Sequence, residues 1–292
     1  TFATKVDFPT ANLPISVSSG DINGDGKPDL ATANYNSNNV SILLNTTTNA
    51  TTPTFATNVD FPTGIKPDSV SIGDINGDGK PDLAVVNSGD NNVSILLSTT
   101  TIGATTPTFP TKVDFPTGSS PNSVSIGDIN GDGKPDLAVA NVNDSTVSIL
   151  LNTTTIGAAT PTFATQVTFP TGPGPRTVSI ADFNSDGKPD LTAVNYDSNN
   201  VSILFNITPA LAATPTFSPQ VLFATGLGPY FAGIGDINTD GNVNTDGNGR
   251  GYLGMSGSHT LEALMNDVAR DVLDPEAKVS VYDSGFLLGD GM

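Results

Sequence analysis

The 292-residue sequence has no cysteine, no tryptophan and a single histidine. Without cysteine there can be no disulfide, thiolate metal site or cysteine nucleophile. The one histidine, His259, lies near the C-terminal end, so no Ser-His-Asp triad can form within residues 1–250. Positive charge is scarce: 11 Lys and Arg stand against 29 acids, a net charge of −18. That balance argues against nucleic acid or an anionic membrane surface as partner. No apolar run is long enough to cross a bilayer as a helix, so membrane insertion is not expected. Glutamate is confined to Glu262 and Glu276, leaving only aspartate before residue 251. Aspartate is a poor helix former that favours turns and caps, so this long stretch reads as non-helical.

Threonine, serine, valine and asparagine dominate instead, with 30 glycines and 22 prolines, the composition of a turn-rich all-β chain. One phrase recurs along it. GDINGDGKPDL occupies Gly20–Leu30 and returns unchanged from Gly73 and Gly127. It becomes ADFNSDGKPDL from Ala181 and decays to GDINTDGNVNT from Gly235. The leading aspartates, Asp21, Asp74, Asp128, Asp182 and Asp236, are spaced by 53, 54, 54 and 54 residues. A period of this size marks a repeat architecture.

The second repeat shows the unit. Residues 69–75 (SVSIGDI) alternate, and the aspartate phrase follows. Residues 82–87 (DLAVVN) form an apolar run suited to a strand buried on both faces. Ser88-Gly89-Asp90-Asn91 is turn chemistry, and residues 92–98 (NVSILLS) read as a third strand with Val93, Ile95 and Leu97 in phase. After a Thr/Gly/Pro loop over 99–107, residues 108–115 (TFPTKVDF) read as an outer strand, because Pro110 cannot donate to a ladder. Four short antiparallel strands in about 54 residues make one propeller blade. Two phenylalanine series keep the register: Phe2, Phe55, Phe109, Phe163 and Phe217, and Phe8, Phe61, Phe115, Phe169 and Phe223. Both are assigned to packing between blades. Residues 1–8 match the fourth strand of a unit, so the sequence reads as a segment of a larger propeller.

Each aspartate phrase has the makings of a cation loop. Asp21, Asn23, Asp25 and Asp29 put side-chain oxygens at positions 1, 3, 5 and 9, Lys27 offers its backbone carbonyl at 7, and Gly26 allows the sharp turn at 6. The pattern recurs as Asp74, Asn76, Asp78, Lys80 and Asp82; as Asp128, Asn130, Asp132, Lys134 and Asp136; and as Asp182, Asn184, Asp186, Lys188 and Asp190. The fifth loop keeps Asp236, Asn238 and Asp240, but Asn244 replaces the closing aspartate, so that site is expected to be degraded. An EF-hand would need a bidentate Glu at position 12, where the first loop has Thr32, and β-type sequence follows in place of a helix. Calcium, four ions with a weakened fifth site, is the expected occupant, because an all-protein oxygen cage suits it better than magnesium. The alternative is that such residues simply make turns. The five loops hold 14 of the 29 acids, so bound ions would offset much of the charge.

With these residues laid out, the chain resembles the FG-GAP/VCBS repeat family, the calcium-loop β-propellers also found in integrin α subunits and many bacterial surface proteins. The phrase that carries the likeness is VSIGDINGDGKPDLAV over 70–85, with its copies, and the likeness spans residues 1–242. It implies four-stranded blades, a ring of seven in well-known members, and calcium between a blade's first and second strands. It also implies adhesion, ligand binding or scaffolding, without naming a ligand.

The expected organisation is a propeller over 1–242, with loops at 21–29, 74–82, 128–136, 182–190 and 236–244. A Gly/Asn-rich linker over 243–257 and a helix-strand tail over 258–292 follow. In the tail, residues 260–273 carry an apolar helical face that Pro275 ends. Residues 276–292 resemble the start of class IV aminotransferases, whose pyridoxal-holding lysine has no counterpart here. The resulting expectation is a calcium-stabilised module without catalysis, extracellular, on a cell surface or periplasmic, whose partner is a protein or a glycan. The alternative is an accessory propeller of a larger secreted enzyme, such as a carbohydrate-active hydrolase.

Overall fold

The computed structural model describes residues 5–48, 52–234 and the strand at 253–256. The fifth aspartate loop, the tail helix and the aminotransferase-like stretch lie outside the described residues, as does Phe2; so does the expected linker over 243–257, except residues 253–256, which form a strand.

The first sheet holds β1 (Pro14–Gly20), β2 (Asp29–Asn34), β3 (Asn39–Leu43) and β4 (Val59–Pro62), hydrogen-bonded in that order. The second is β5 (Pro67–Gly73), β6 (Asp82–Asn87), β7 (Asn92–Leu96) and β8 (Val113–Pro116). The third is β9 (Pro121–Gly127), β10 (Asp136–Asn141), β11 (Thr146–Leu150) and β12 (Val167–Pro170). The fourth is β13 (Pro175–Ala181), β14 (Asp190–Asn195), β15 (Asn200–Leu204) and β16 (Val221–Ala224). A final pair, β17 (Phe231–Ile234) and β18 (Leu253–Ser256), is antiparallel. No helix occurs among the described residues. This is the all-β, blade-by-blade architecture that the repeat predicts.

The outer strand is shorter than expected and starts later. β8 begins at Val113, so Pro110 precedes it and does not mark the edge; the strand is outermost by its pairing with β7 alone. Residues 5–10 form no strand. Phe8 nevertheless meets Phe55 edge-to-face at 4.9 Å, as Phe61 meets Phe109 and Phe115 meets Phe163. Each pair joins one unit to the next, which is the packing role assigned to both series.

The core lies between sheets. β6 and β10 are buried at every residue because each is covered on both faces. The alternation divides the work. Ala31, Ala33, Val40 and Ile42 of the first blade pack on Val70, Leu83 and Val85 of the second. Ala84, Val86, Val93 and Ile95 turn the other way, onto Val124, Leu137 and Val139 of the third. Small residues on one face meet larger ones on the other, so neighbouring sheets interdigitate.

Inner strands bond directly across blades. The Ser71 hydroxyl donates to the Val124 carbonyl at 2.8 Å, and Thr177 donates to that of Tyr230 at 2.8 Å. The register gives every blade two unlike ends. Pro67 pairs with Asn87, and Asn92 with Pro116, so the β2–β3-type hairpins and the links between blades share one end. The aspartate loops and the long loops before the outer strands share the other.

Candidate metal centre

The loop of the second blade joins Gly73 to Asp82. Asp74 accepts the Asp78 N–H at 3.0 Å through Oδ1 and the Gly79 N–H at 2.8 Å through Oδ2. Asn76 Oδ1 also takes the Asp78 N–H, at 3.1 Å. Asp78 Oδ1 accepts from the Lys80 N–H at 3.0 Å. Gly77 and Gly79 sit at φ +69° and +83°, a left-handed conformation that side chains resist. The same bonds recur in the other three loops, where Asp21, Asp128 and Asp182 accept the N–H groups of the residues four and five positions on.

The ninth-position aspartates are placed differently. Asp29, Asp82, Asp136 and Asp190 are fully buried. Asp82 Oδ2 accepts the Ile75 N–H at 2.8 Å and the Asn76 N–H at 3.3 Å, while Oδ1 accepts the Ser98 N–H at 2.7 Å. One carboxylate thus ties the loop to the end of the third strand. Burial pushes the carboxyl of Asp82 up to about 6, of Asp136 to about 7 and of Asp190 to about 6, against the opposing pull of these N–H donors. Asp29 is raised for the same reason.

The donors are all oxygen, which suits a hard cation. Four predicted loops therefore bring their residues together in one turn each. Among the described residues, however, no three acidic or histidine side chains converge as ligands of one ion. The carboxylates instead accept loop N–H groups, and a carboxylate has about four lone-pair sites, so each retains acceptor capacity. Lys27 and Lys80, expected to matter through their carbonyls, reach Asp25 at 3.2 Å and Asp78 at 3.4 Å with their ammonium groups.

A clasp on these loops escaped the sequence reading. The Asn23 amide donates to the Ala104 carbonyl at 2.9 Å, and the Gly103 N–H returns a bond to the Asn23 carbonyl at 2.7 Å. Asn76 does the same with Ala158 and Gly157, and Asn130 with Ala212 and Leu211. Asn152 and Asn206 add bonds to the carbonyls of Ile75 and Ile129, both at 2.8 Å. The aspartate loop of each of the first three blades is thus gripped by the following blade. The signal was present: TTTIGA stands at both 99–104 and 153–158, although that stretch reads only as a surface loop. In the fourth loop no such grip is described; Asn184 is exposed and donates to Asp186 at 3.2 Å.

The free aspartates off these loops divide by position. Asp90 and Asp144 cap turns, accepting the N–H of Ile65 at 2.7 Å and of Ser119 at 2.6 Å. Asp60 and Asp114 instead accept from Ser41 at 2.6 Å and Ser94 at 2.7 Å on the adjacent strand.

Comparison with known proteins agrees with this geometry. A family model described as FG-GAP-like repeat matches three times, at residues 21–85, 74–139 and 128–193, together more than half of the chain. No curated protein matches. Among solved structures, BBS1N in complex with ARL6DN is 15% identical with a TM-score of 0.46, covering 78% of this chain and 61% of that one. A putative 6-phosphogluconolactonase from Bacteroides uniformis is 14% identical with a TM-score of 0.49, covering 73% and 55%. The V. cholerae biofilm matrix protein Bap1 is 15% identical with a TM-score of 0.40, covering 77% and 32%. The chain thus spans less than two thirds of the length of these structures.

Proposed function

This chain belongs to the FG-GAP-like repeat family, and we propose from that premise that it is a calcium-stabilised binding or scaffold module without catalysis. The observation that carries the reading is the fourfold recurrence of one oxygen-lined loop at one end of successive blades. Asp21, Asn23, Asp25, the Lys27 carbonyl and Asp29 would hold the first ion, and their counterparts the next three. A cation there would bring together carboxylates that now rely on loop N–H groups and would hold the buried ninth-position aspartates ionised. Because Asn23, Asn76 and Asn130 are gripped by the next blade, ordering a loop would also order the joint between two blades.

Extracellular modules bind calcium with a Kd of roughly 10⁻⁴–10⁻³ M. At about 1 mM free ion each site would add roughly 0.4–1.4 kcal/mol. Four such terms matter against a typical total stability of about 5–15 kcal/mol. At the far lower free calcium of a cytosol the loops would stand empty, which favours an extracellular, surface or periplasmic setting. The test is a thermal melt with chelator and with restored millimolar calcium. The reading expects a lower midpoint in chelator and recovery on adding calcium; superimposable melts would refute it.

A further inference from the structure

The two ends of the blades have diverged unequally. At the loop end the repeats keep GDINGDGKPDL three times and TTTIGA twice. At the opposite end the position after each blade's opening proline is Ile15, Asp68, Asn122, Arg176 and Tyr230 in succession. The first hairpin residue is equally varied: Tyr35, Ser88, Val142 and Tyr196. Within one chain, copies that agree so closely elsewhere differ most where their inner strands begin.

Four of these differing residues meet, Asn122, Arg176, Tyr196 and Tyr230. The Arg176 guanidinium lies over the ring of Tyr196 at 5.3 Å and of Tyr230 at 5.8 Å, and the two rings stand edge-to-face at 6.2 Å. Its Nη1 donates to Asn122 Oδ1 at 3.2 Å. Both rings remain open to solvent, Tyr196 at 40% and Tyr230 at 56%. Two polar atoms of the row, Arg176 Nε and Asp68 Oδ2, are shielded from water and have no hydrogen-bond partner. As residues, Asp68, Asn122 and Arg176 are only half-buried, so other parts of the row meet solvent.

We propose that this pole, built by Asp68, Asn122, Arg176, Tyr196 and Tyr230, is a binding site for a neutral saccharide. The inference rests on reading the chain as a binding module. Its chemistry is that of a polyol with an apolar face. Hydroxyl groups both donate and accept, so they suit the half-buried, hydrogen-bonded Arg176 and Asn122 side chains beside the rings. The C–H face of a pyranose covers an exposed tyrosine ring, whose rigid side chain offers area at small entropic cost. A cationic ligand meets Arg176 already seated between the rings, and a polyanion meets a chain of net charge −18.

The test uses the full chain in millimolar calcium. Its probes are the glucose, mannose and N-acetylglucosamine oligosaccharides of a printed glycan array, followed by titration of intrinsic tyrosine fluorescence. The chain has five tyrosines and no tryptophan, so the signal reports on few rings. Binding of at least one neutral oligosaccharide is expected, weakened roughly tenfold or more by Tyr230→Ala and by Arg176→Ala. It should be retained by Tyr230→Phe and by Leu222→Ser on the distant outer strand. Thermal melts of the variants separate loss of the site from loss of the fold. An array silent to neutral sugars, a preference for acidic glycans, or binding that survives both alanine variants would each overturn the assignment. A chain that melts with the expected calcium dependence yet binds no sugar would overturn this site alone.

Discussion

The side-chain amide of Asn76 donates to the carbonyl of Ala158 at 3.1 Å, across 82 positions of sequence and from one blade to the next. This bond shows how a local motif becomes a joint. Asn76 is the third residue of an acidic loop, and its amide reaches out of that loop to the neighbouring sheet while its oxygen stays within. The loop and the interface between blades are therefore one structure.

Asn76→Ala, measured in chelator so that any ligand role drops out, should cost about 1–2 kcal/mol, because it removes a buried bond and leaves the Ala158 carbonyl unserved. Asn184→Ala is the internal control. Among the described residues its exposed side chain bonds only within its own loop, so a cost within about 0.5 kcal/mol is expected. Chemical denaturation of the two variants compares them. Equal costs would mean that the grip contributes nothing.

Gly79→Ala should destabilise by about 1–2 kcal/mol through the backbone alone. Gly79 stands at φ +83°, and a Cβ there meets nothing within 4 Å, so no clash confuses the reading. Gly89→Ala is worse for another reason. Its Cβ would lie 2.9 Å from the Ile65 carbonyl oxygen, so the backbone itself would have to move. Urea midpoints of both variants check the contrast.

The fold was legible in the sequence to a large degree, and for a physical reason. β6, DLAVVN, is apolar on both faces because a blade lies on each side of it, and β7, NVSIL, is likewise buried on both faces, with Val93 and Ile95 on one side and Leu96 on the other. The loops were legible because three carboxylates crowded into nine residues call for an explanation. The ninth-position aspartates were only half legible. Spacing placed Asp82 in a ligand set, but could not show that Asp82 also anchors Ser98, since that contact depends on the return of the third strand. The clasp and the Arg176–Tyr196–Tyr230 group were hidden because they join residues of different blades, and nothing in a single repeat encodes the distance between blades.

Asp68→Asn should stabilise the protein at neutral pH. Burial raises the Asp68 carboxyl above its ordinary value, with Ser88, Arg176 and Lys66 pulling the other way. A folded-state value above the unfolded one means that folding favours the protonated form. The penalty of the charge is therefore present at neutral pH and disappears as pH falls through the raised value towards the ordinary carboxylate range. The next blade already places an asparagine, Asn122, at the equivalent position. A gain of roughly 1 kcal/mol, about 2–4 °C in Tm, is expected at neutral pH and should vanish in acid. Melts of parent and variant across this range check it; a gain that persists unchanged in acid would rule out charge burial as the cause.

The central claim, that each aspartate loop holds a calcium ion, is tested most directly by counting ions. Calorimetric titration of chelator-treated protein with calcium should show binding at the four intact loops, and Asp78→Asn should remove or weaken one site while leaving the others. A flat titration through millimolar calcium, or an identical isotherm for Asp78→Asn, would contradict the account and leave these loops as turns held by their own N–H groups.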